Sequence, residues 1–569
     1  MGLPSLSEKQ ESARDGSSTP PTPFEAAKAA RSASGNEDNR NSQRLSQQLS
    51  RQLSRVATSD YPTGLRLGMI VVALILTMFL VALDMTIVAT AIPKVTSQFN
   101  SLEDIGWYGS AFFLTLASFQ STWGKAYKYF PLKIAYLISV FIFEVGSLIC
   151  AVAQNSPTLI VGRAIAGAGG AGIASGSYTI IAFSAPEKQR PAFTGLLGAT
   201  YGIASVIGPV LGGVFTDNLT WRWCFYINLP IGGVAAAIIV FFFTTPTAAR
   251  PQDATLKEKI LQMDFPGSIV IMGSFICYLL AMQWGGVRHA WSSGTVIALL
   301  VLFVVLLAVF IGIEWRSGSR ALLQFRFLKD RTIAGQSLYA GLVAGSFFVL
   351  IYYLPIYFQS TRGHSASQSG IDNLPLVLGA SIFTIISGIT ITVTGHYIPL
   401  MILGSSLATA GTALIYTFEI ETASPRWIGY QALGAAGLGL SFQIPIIVNQ
   451  AITTPSELSS VTAQTLFGQT LSGAIFVSAA QSAFTNTIIK RVAILLPELD
   501  PGIIIATGAD ALRETFEGEQ LQAVLAAYMD GLKVTFAIAL ATAAAGFVVA
   551  FTPRWESLKG KVKVDMGGA

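Results

Sequence analysis

Fourteen stretches of this chain are apolar and long enough to cross a bilayer, which leaves very few folds open. A helix needs about 20 apolar residues to cross roughly 30 Å of hydrocarbon. The candidate runs are 68–92, 105–123, 132–153, 158–182, 192–215, 223–244, 264–284, 294–314, 333–358, 370–392, 396–416, 427–449, 460–486 and 531–551. Within lipid every backbone N–H and C=O must find a partner inside the protein, so runs of this length are helices. Charged residues make up 12% of the chain, against about 25% in soluble domains. The expectation is an all-α integral membrane protein with 14 transmembrane helices.

Lysine and arginine placement sets the orientation, because basic residues are retained on the cytoplasmic side. The loop with Arg316, Arg320, Arg326, Lys329 and Arg331 is the densest vote. It puts both termini in the cytoplasm. Residues 1–64 are polar and read as a disordered cytoplasmic tail without a cleavable signal. Within them Leu45, Leu49 and Leu53 recur at helical spacing, and Arg51–Ser54 fits a basophilic kinase site. Long inner loops at 245–263 and 315–332 set the seventh and eighth spans apart. The domain reading is therefore 65–244 as a first six-helix bundle, 245–332 as loops plus two inserted helices, 333–551 as a second bundle, and 552–569 as a cytoplasmic tail. An external segment, 487–530, carries helically spaced apolar residues between Ala509 and Asp530 and reads as a packed linker.

The composition also removes whole classes of function. No Gly-x-x-x-x-Gly-Lys-Ser/Thr loop is present, so pumping would draw on an ion gradient rather than ATP. Three cysteines (Cys150, Cys224, Cys277) do not make a disulfide framework, and three scattered histidines do not make a metal site. No cofactor, nucleic-acid partner or enzymatic chemistry is expected.

The fifth run contains Gly198, Gly202, Gly208, Pro209, Gly212 and Gly213. Such residues weaken a soluble helix by about 1 kcal/mol per glycine and about 3 for proline, yet in lipid they allow close packing and a bend. Trp221–Gly233 then opens the next span as Trp-Arg-Trp-Cys-Phe-Tyr-Ile-Asn-Leu-Pro-Ile-Gly-Gly. In that order the two segments resemble the antiporter signature of the major facilitator superfamily, in its fourteen-span drug:proton antiporter branch. The resemblance implies two pseudo-symmetric six-helix bundles, alternating access and exchange rather than uptake. The sequon Asn218-Leu-Thr220 lies too close to the spans for a glycan to be expected.

Charges inside spans are costly and mark functional candidates. Asp84 sits in Leu83-Asp-Met-Thr-Ile-Val-Ala-Thr-Ala-Ile-Pro93, and Arg163 in Gly162-Arg-Ala-Ile-Ala-Gly-Ala-Gly-Gly-Ala-Gly172. These segments resemble the superfamily's first-span signature and its fourth-span motif tied to proton coupling, which implies that Asp84 carries a proton under the influence of Arg163. At about 1.5 Å per residue, Asp84 lies about 12 Å and Arg163 about 8 Å below the same membrane face, near the level of Gly208 and Pro209. Glu144 is the next candidate. Gln336, Tyr352, Tyr353, Gln443, Asn449 and Gln469 are candidates for lining a cavity for a bulky organic molecule.

One segment departs from the family pattern. The loop after the second span reads Gly124-Lys-Ala-Tyr-Lys128-Tyr-Phe-Pro131-Leu-Lys133, with Lys128 where the family has an acid, so a charge relay is not expected there. The reading is a proton-coupled efflux permease of the plasma membrane, acting as a monomer on a small hydrophobic drug, toxin or secondary metabolite. A siderophore or basic amino-acid permease, a vacuolar location and a non-transporting nutrient sensor are the alternatives.

Overall fold

The computed structural model describes residues 61–99, 104–499, 503, 507 and 512–559. The leucine repeat at 45–53 and the kinase motif lie outside the described residues. The first half of the chain forms α1 (Gly64–Thr86, continued after a turn at Ile87 by Val88–Phe99), α2 (Ile105–Tyr129), α3 (Leu132–Val152), α4 (Ser156–Ser184), α5 (Arg190–Asn218) and α6 (Asn228–Phe242). Then come α7 (Phe265–Trp284) and α8 (Gly294–Ser317). The second half contributes α9 (Arg331–Ser360), α10 (Leu374–Thr394), α11 (Ile398–Tyr416), α12 (Ser424–Phe442, continued by Ile444–Ala451), α13 (Leu458–Leu495) and α14 (Gly518–Val549).

Local sequence sets several of the starts. Asn155 accepts from Thr158 N at 2.9 Å and Pro157 occupies the first turn of α4, where its missing N–H costs nothing. Asp330 accepts from Thr332 N at 2.8 Å to cap α9, and Ser293 accepts from Val296 N at 3.3 Å to cap α8.

Twelve helical stretches among the described residues are long and apolar enough to cross a membrane. The expected spans 105–123 and 460–486 fall on α2 and α13, which are 25 and 38 residues long but less hydrophobic. The segment between α13 and α14, expected at 487–530, is shorter than that. α13 continues to Leu495 and α14 already begins at Gly518, because Val524, Leu525 and Tyr528 keep a buried apolar face running past the expected start at 531.

Helices α1–α6 pack on one another, as do α9–α14, and the two sets meet where α5 lies on α10 and where α13 lies on α2. Small residues permit the closest approaches. A methyl group on Gly146 of α3 would lie 2.3 Å from Ala166 N of α4, and one on Gly169 would lie 2.3 Å from Phe143 N. No side chain fits at either place, so α3 and α4 touch backbone to backbone.

α7 inserts beside the α2–α13 contact. Thr122 of α2 and Ser268 of α7 share a hydrogen bond of 3.0 Å, and the Tyr278 hydroxyl of α7 donates to Ile475 O of α13 at 2.9 Å. α8 packs chiefly on α7. Only 11% of its apolar window is buried, against 83% for α12, so α8 presents its aliphatic side chains outward.

At the Lys128 end of α2 a charge contact does occur, where no charge relay was expected. Lys128 Nζ pairs with Glu457 Oε1 at 2.7 Å, just before α13, and Arg326 reaches the same oxygen at 2.6 Å. Glu457 thus ties the end of α2 and the Arg326 loop to the start of α13.

Candidate functional site

A fully buried ion pair joins α1 to α4. Arg163 Nη1 donates to Asp84 Oδ2, Nη2 donates to the Asp84 carbonyl at 3.1 Å, and Nε donates to the Tyr108 carbonyl at 2.8 Å. The guanidinium carbon lies 4.5 Å from the Phe112 ring centroid. Arg163 is 0% and Asp84 1% exposed. Charges so deeply buried persist only when paired and hydrogen-bonded. Glycines let the partners come this close. A methyl group on Gly167 would lie 2.3 Å from Phe112 O, so α2 can bring Tyr108 and Phe112 onto the arginine.

The polar contacts extend from the pair to α3 and α6. Asn228 Nδ2 reaches Asp84 Oδ1 at 3.4 Å and Ser147 Oγ at 3.1 Å. Glu144, one turn from Ser147 along α3, is not bonded to this network. Both of its carboxylate oxygens are buried without a partner, and its Oε1 occupies the space where a side chain of residue 232 would be.

The α5 glycines divide by the partner they face. A methyl group on Gly198 would lie 2.2 Å from Gln443 Nε2 of α12, and one on Gly202 would lie 2.0 Å from Ser381 Oγ of α10. One on Gly208 would lie 2.1 Å from Thr86 Oγ1 of α1, two residues beyond Asp84. Thr86 also donates to Ala204 O at 3.3 Å. The N-terminal part of α5 thus meets the second set of helices, and its glycine–proline step abuts the helix that carries the ion pair. Pro209 lies inside a continuous helix, Gly212 is buried, and nothing lies within 4 Å of a methyl group on Gly213. Asn218 is exposed and its amide donates to Val214 O at 3.1 Å.

Near this network lies a cavity of about 480 Å³, lined from α1, α2, α7, α9 and α13. Phe113, Phe275, Tyr278, Phe348 and Tyr352 supply aromatic surface, and Gln283, Gln481 and Ser110 supply neutral polar groups. Among the described residues, no Asp, Glu, Lys, Arg or His lines it. Met85 lines it, so the residue after Asp84 is part of its wall.

Of the six residues expected to form a cavity, Tyr352 lines this one. The other five are engaged with protein groups. Gln336 donates to Met401 Sδ at 3.1 Å, Gln443 to the Tyr178 hydroxyl at 3.1 Å and Asn449 to Thr465 Oγ1 at 2.9 Å. Gln469 donates to Phe442 O at 3.0 Å, and the Tyr353 hydroxyl donates to Gln481 Oε1 at 3.1 Å. Sequence reasoning missed Tyr278 and Gln283, since it set α7 apart from both bundles. Two hydrogen-bonding side chains five residues apart in an aliphatic span were the available signal.

The family model described as Major Facilitator Superfamily matches residues 74–477. The MFS-type transporter grgE of Penicillium sp is 49% identical over 513 residues, covering 90% of this chain and 90% of that protein. The MFS-type efflux pump MFS1 of Arthroderma benhamiae is 46% identical over 512 residues, covering 90% of this chain and 95% of that protein. Among solved structures, the proton:xylose symporter XylE aligns over 86% of this chain and 97% of its own, with TM-score 0.54 and 13% identity, a likeness of fold alone.

Proposed function

Because this chain belongs to the major facilitator superfamily, we propose that it is a proton-coupled efflux permease for a hydrophobic, uncharged organic molecule, a drug, toxin or secondary metabolite. The cavity carries this reading. Its aromatic and amide lining suits a bulky apolar solute with a few polar atoms, and among the described residues no carboxylate faces it to hold a basic amino acid. Fungal relatives are named transporters and an efflux pump, which supports the direction of movement. The Asp84–Arg163 pair lies directly behind the Met85 wall, where a proton arriving at Asp84 would weaken the pair and change how α1 and α4 pack.

Reconstituted vesicles test this with a panel of neutral and cationic fluorescent aromatic compounds. Neutral probes should move against an imposed proton gradient and stop when an ionophore collapses it. Movement that continues unchanged without the gradient would leave a facilitator, not an antiporter.

The topology that goes with this reading has fourteen crossings, with α2 and α13 added to the twelve apolar stretches. The bundles are 65–244 and 333–551, both termini are cytoplasmic, the protein is a monomer and its membrane is the plasma membrane. Reporter tags after residue 50 and near residue 510 should label from opposite sides in intact cells. Equal accessibility would exclude this orientation or this count.

A further inference from the structure

A second pair of buried acids lies away from Asp84, where the inserted helices meet α2. Asp264 stands immediately before α7, and Glu314 lies in the last turn of α8. Glu314 is 0% exposed and Asp264 6%. Each uses one oxygen on the backbone: Asp264 Oδ1 accepts from Gly267 N at 3.1 Å, and Glu314 Oε2 accepts from Leu323 N at 2.7 Å. The remaining oxygens, Asp264 Oδ2 and Glu314 Oε1, are buried and lack any hydrogen-bond partner.

These two orphaned oxygens converge on one point. A methyl group on Gly267 would lie 2.6 Å from Asp264 Oδ2 and 2.8 Å from Glu314 Oε1. Two ionised carboxylates this close and this dry repel one another. A single proton removes the conflict, because the protonated acid donates to its neighbour and both orphaned atoms become satisfied at once. We propose that Asp264 and Glu314 jointly bind one proton, forming a second proton site that closes the junction between the inserted helices and α2.

The surrounding charges set what that proton does. Lys125 of α2 donates to Ser319 O in the turn that follows α8 and to Gln262 Oε1 at 3.4 Å. Beyond it lie Lys128, Arg326 and Glu457, already engaged with one another at 2.6–2.7 Å. Lys125 is thus the one nearby cation not held by a carboxylate among these groups, and one ammonium cannot neutralise two ionised acids. Below the point of deprotonation the acids tie α7 to α8. As pH rises the tie is lost and the 315–323 turn loosens from α2. The site does not depend on which molecule is exported, and it remains in place if the transport reading fails.

Infrared spectroscopy of the full chain in vesicles tests the proposal directly. At neutral pH the wild type should show the carbonyl stretch of a protonated carboxyl group, fading as the medium is made alkaline. E314Q and D264N should each remove that same band completely, whereas E144Q and Asp84→Asn should leave it. Asparagine tolerates the left-handed backbone at position 264, where φ is 43°, and can still accept from Gly267 N, so D264N alone decides the matter if E314Q does not fold. A band that survives D264N, or a wild type with no band that this substitution removes, would overturn the shared proton.

Discussion

Asp84→Asn is expected to reduce export driven by a pH gradient to the level of protein-free vesicles while substrate binding persists. The amide copies the shape of the protonated acid but cannot gain or lose a proton. Arg163 keeps its bonds to the carbonyls of Asp84 and Tyr108 and its place over Phe112, so the cavity wall at Met85 should hold its form. Stability should fall, since breaking a buried pair costs about 3–5 kcal/mol when one charge is left unpaired. Binding and thermal unfolding measured in parallel separate that loss from a loss of coupling. Normal gradient-driven export by Asp84→Asn would move the proton site elsewhere. Glu144 would then be next, with both carboxylate oxygens buried and unbonded against Gly232.

Gly202→Val should block export by a different route, leaving the ion pair intact. The added carbon would sit 2.0 Å from Ser381 Oγ and 2.9 Å from Val377 O, and the second atom is backbone that cannot turn aside. α5 must then move away from α10, with an overpacking cost of about 1–3 kcal/mol. Spin labels on α5 and α10 should report a wider separation in the variant, and export should fall severalfold or more. Gly213→Ala is the matched control in the same helix, where nothing lies within 4 Å, and should export normally. Equal loss in both variants would mean that the glycines serve the helix itself and not its contact with α10.

What was legible in the chain follows from the physics of each signal. Span positions were readable because length and hydropathy are properties of one segment at a time, and α3, α10 and α11 begin and end near their apolar runs. Helix ends past the apolar runs were not, because burial of Ile488 and Val492 carries α13 beyond its run, and burial of Val524, Leu525 and Tyr528 brings α14 forward of its own. Asp84 and Arg163 stood out as charges in lipid, and counting along the helices put them at similar depth, but only the packed glycines of α4 bring them into contact. Gln336, Gln443, Asn449 and Gln469 stood out for the same reason and proved to be bonded to protein. A buried amide seeks a partner wherever one lies, and its identity alone does not say whether that partner is a ligand or a neighbouring helix. The loops of the inserted helices set them apart in sequence, whereas Tyr278 and Gln283 put α7 in the cavity wall.

The outward-facing α8 has a consequence for how this protein can diverge over evolutionary time. Val296, Phe310 and Glu314 are buried along its 24 residues and Phe303 and Leu307 pack on α7, so the positions on the opposite face answer chiefly to the thickness of the surrounding lipid. A library of random substitutions should therefore recover almost any aliphatic residue on the face of this helix turned away from α7. Sequence drift there records little about the cargo, while Glu314 and the facing surface of α7 should be the places where selection leaves its mark.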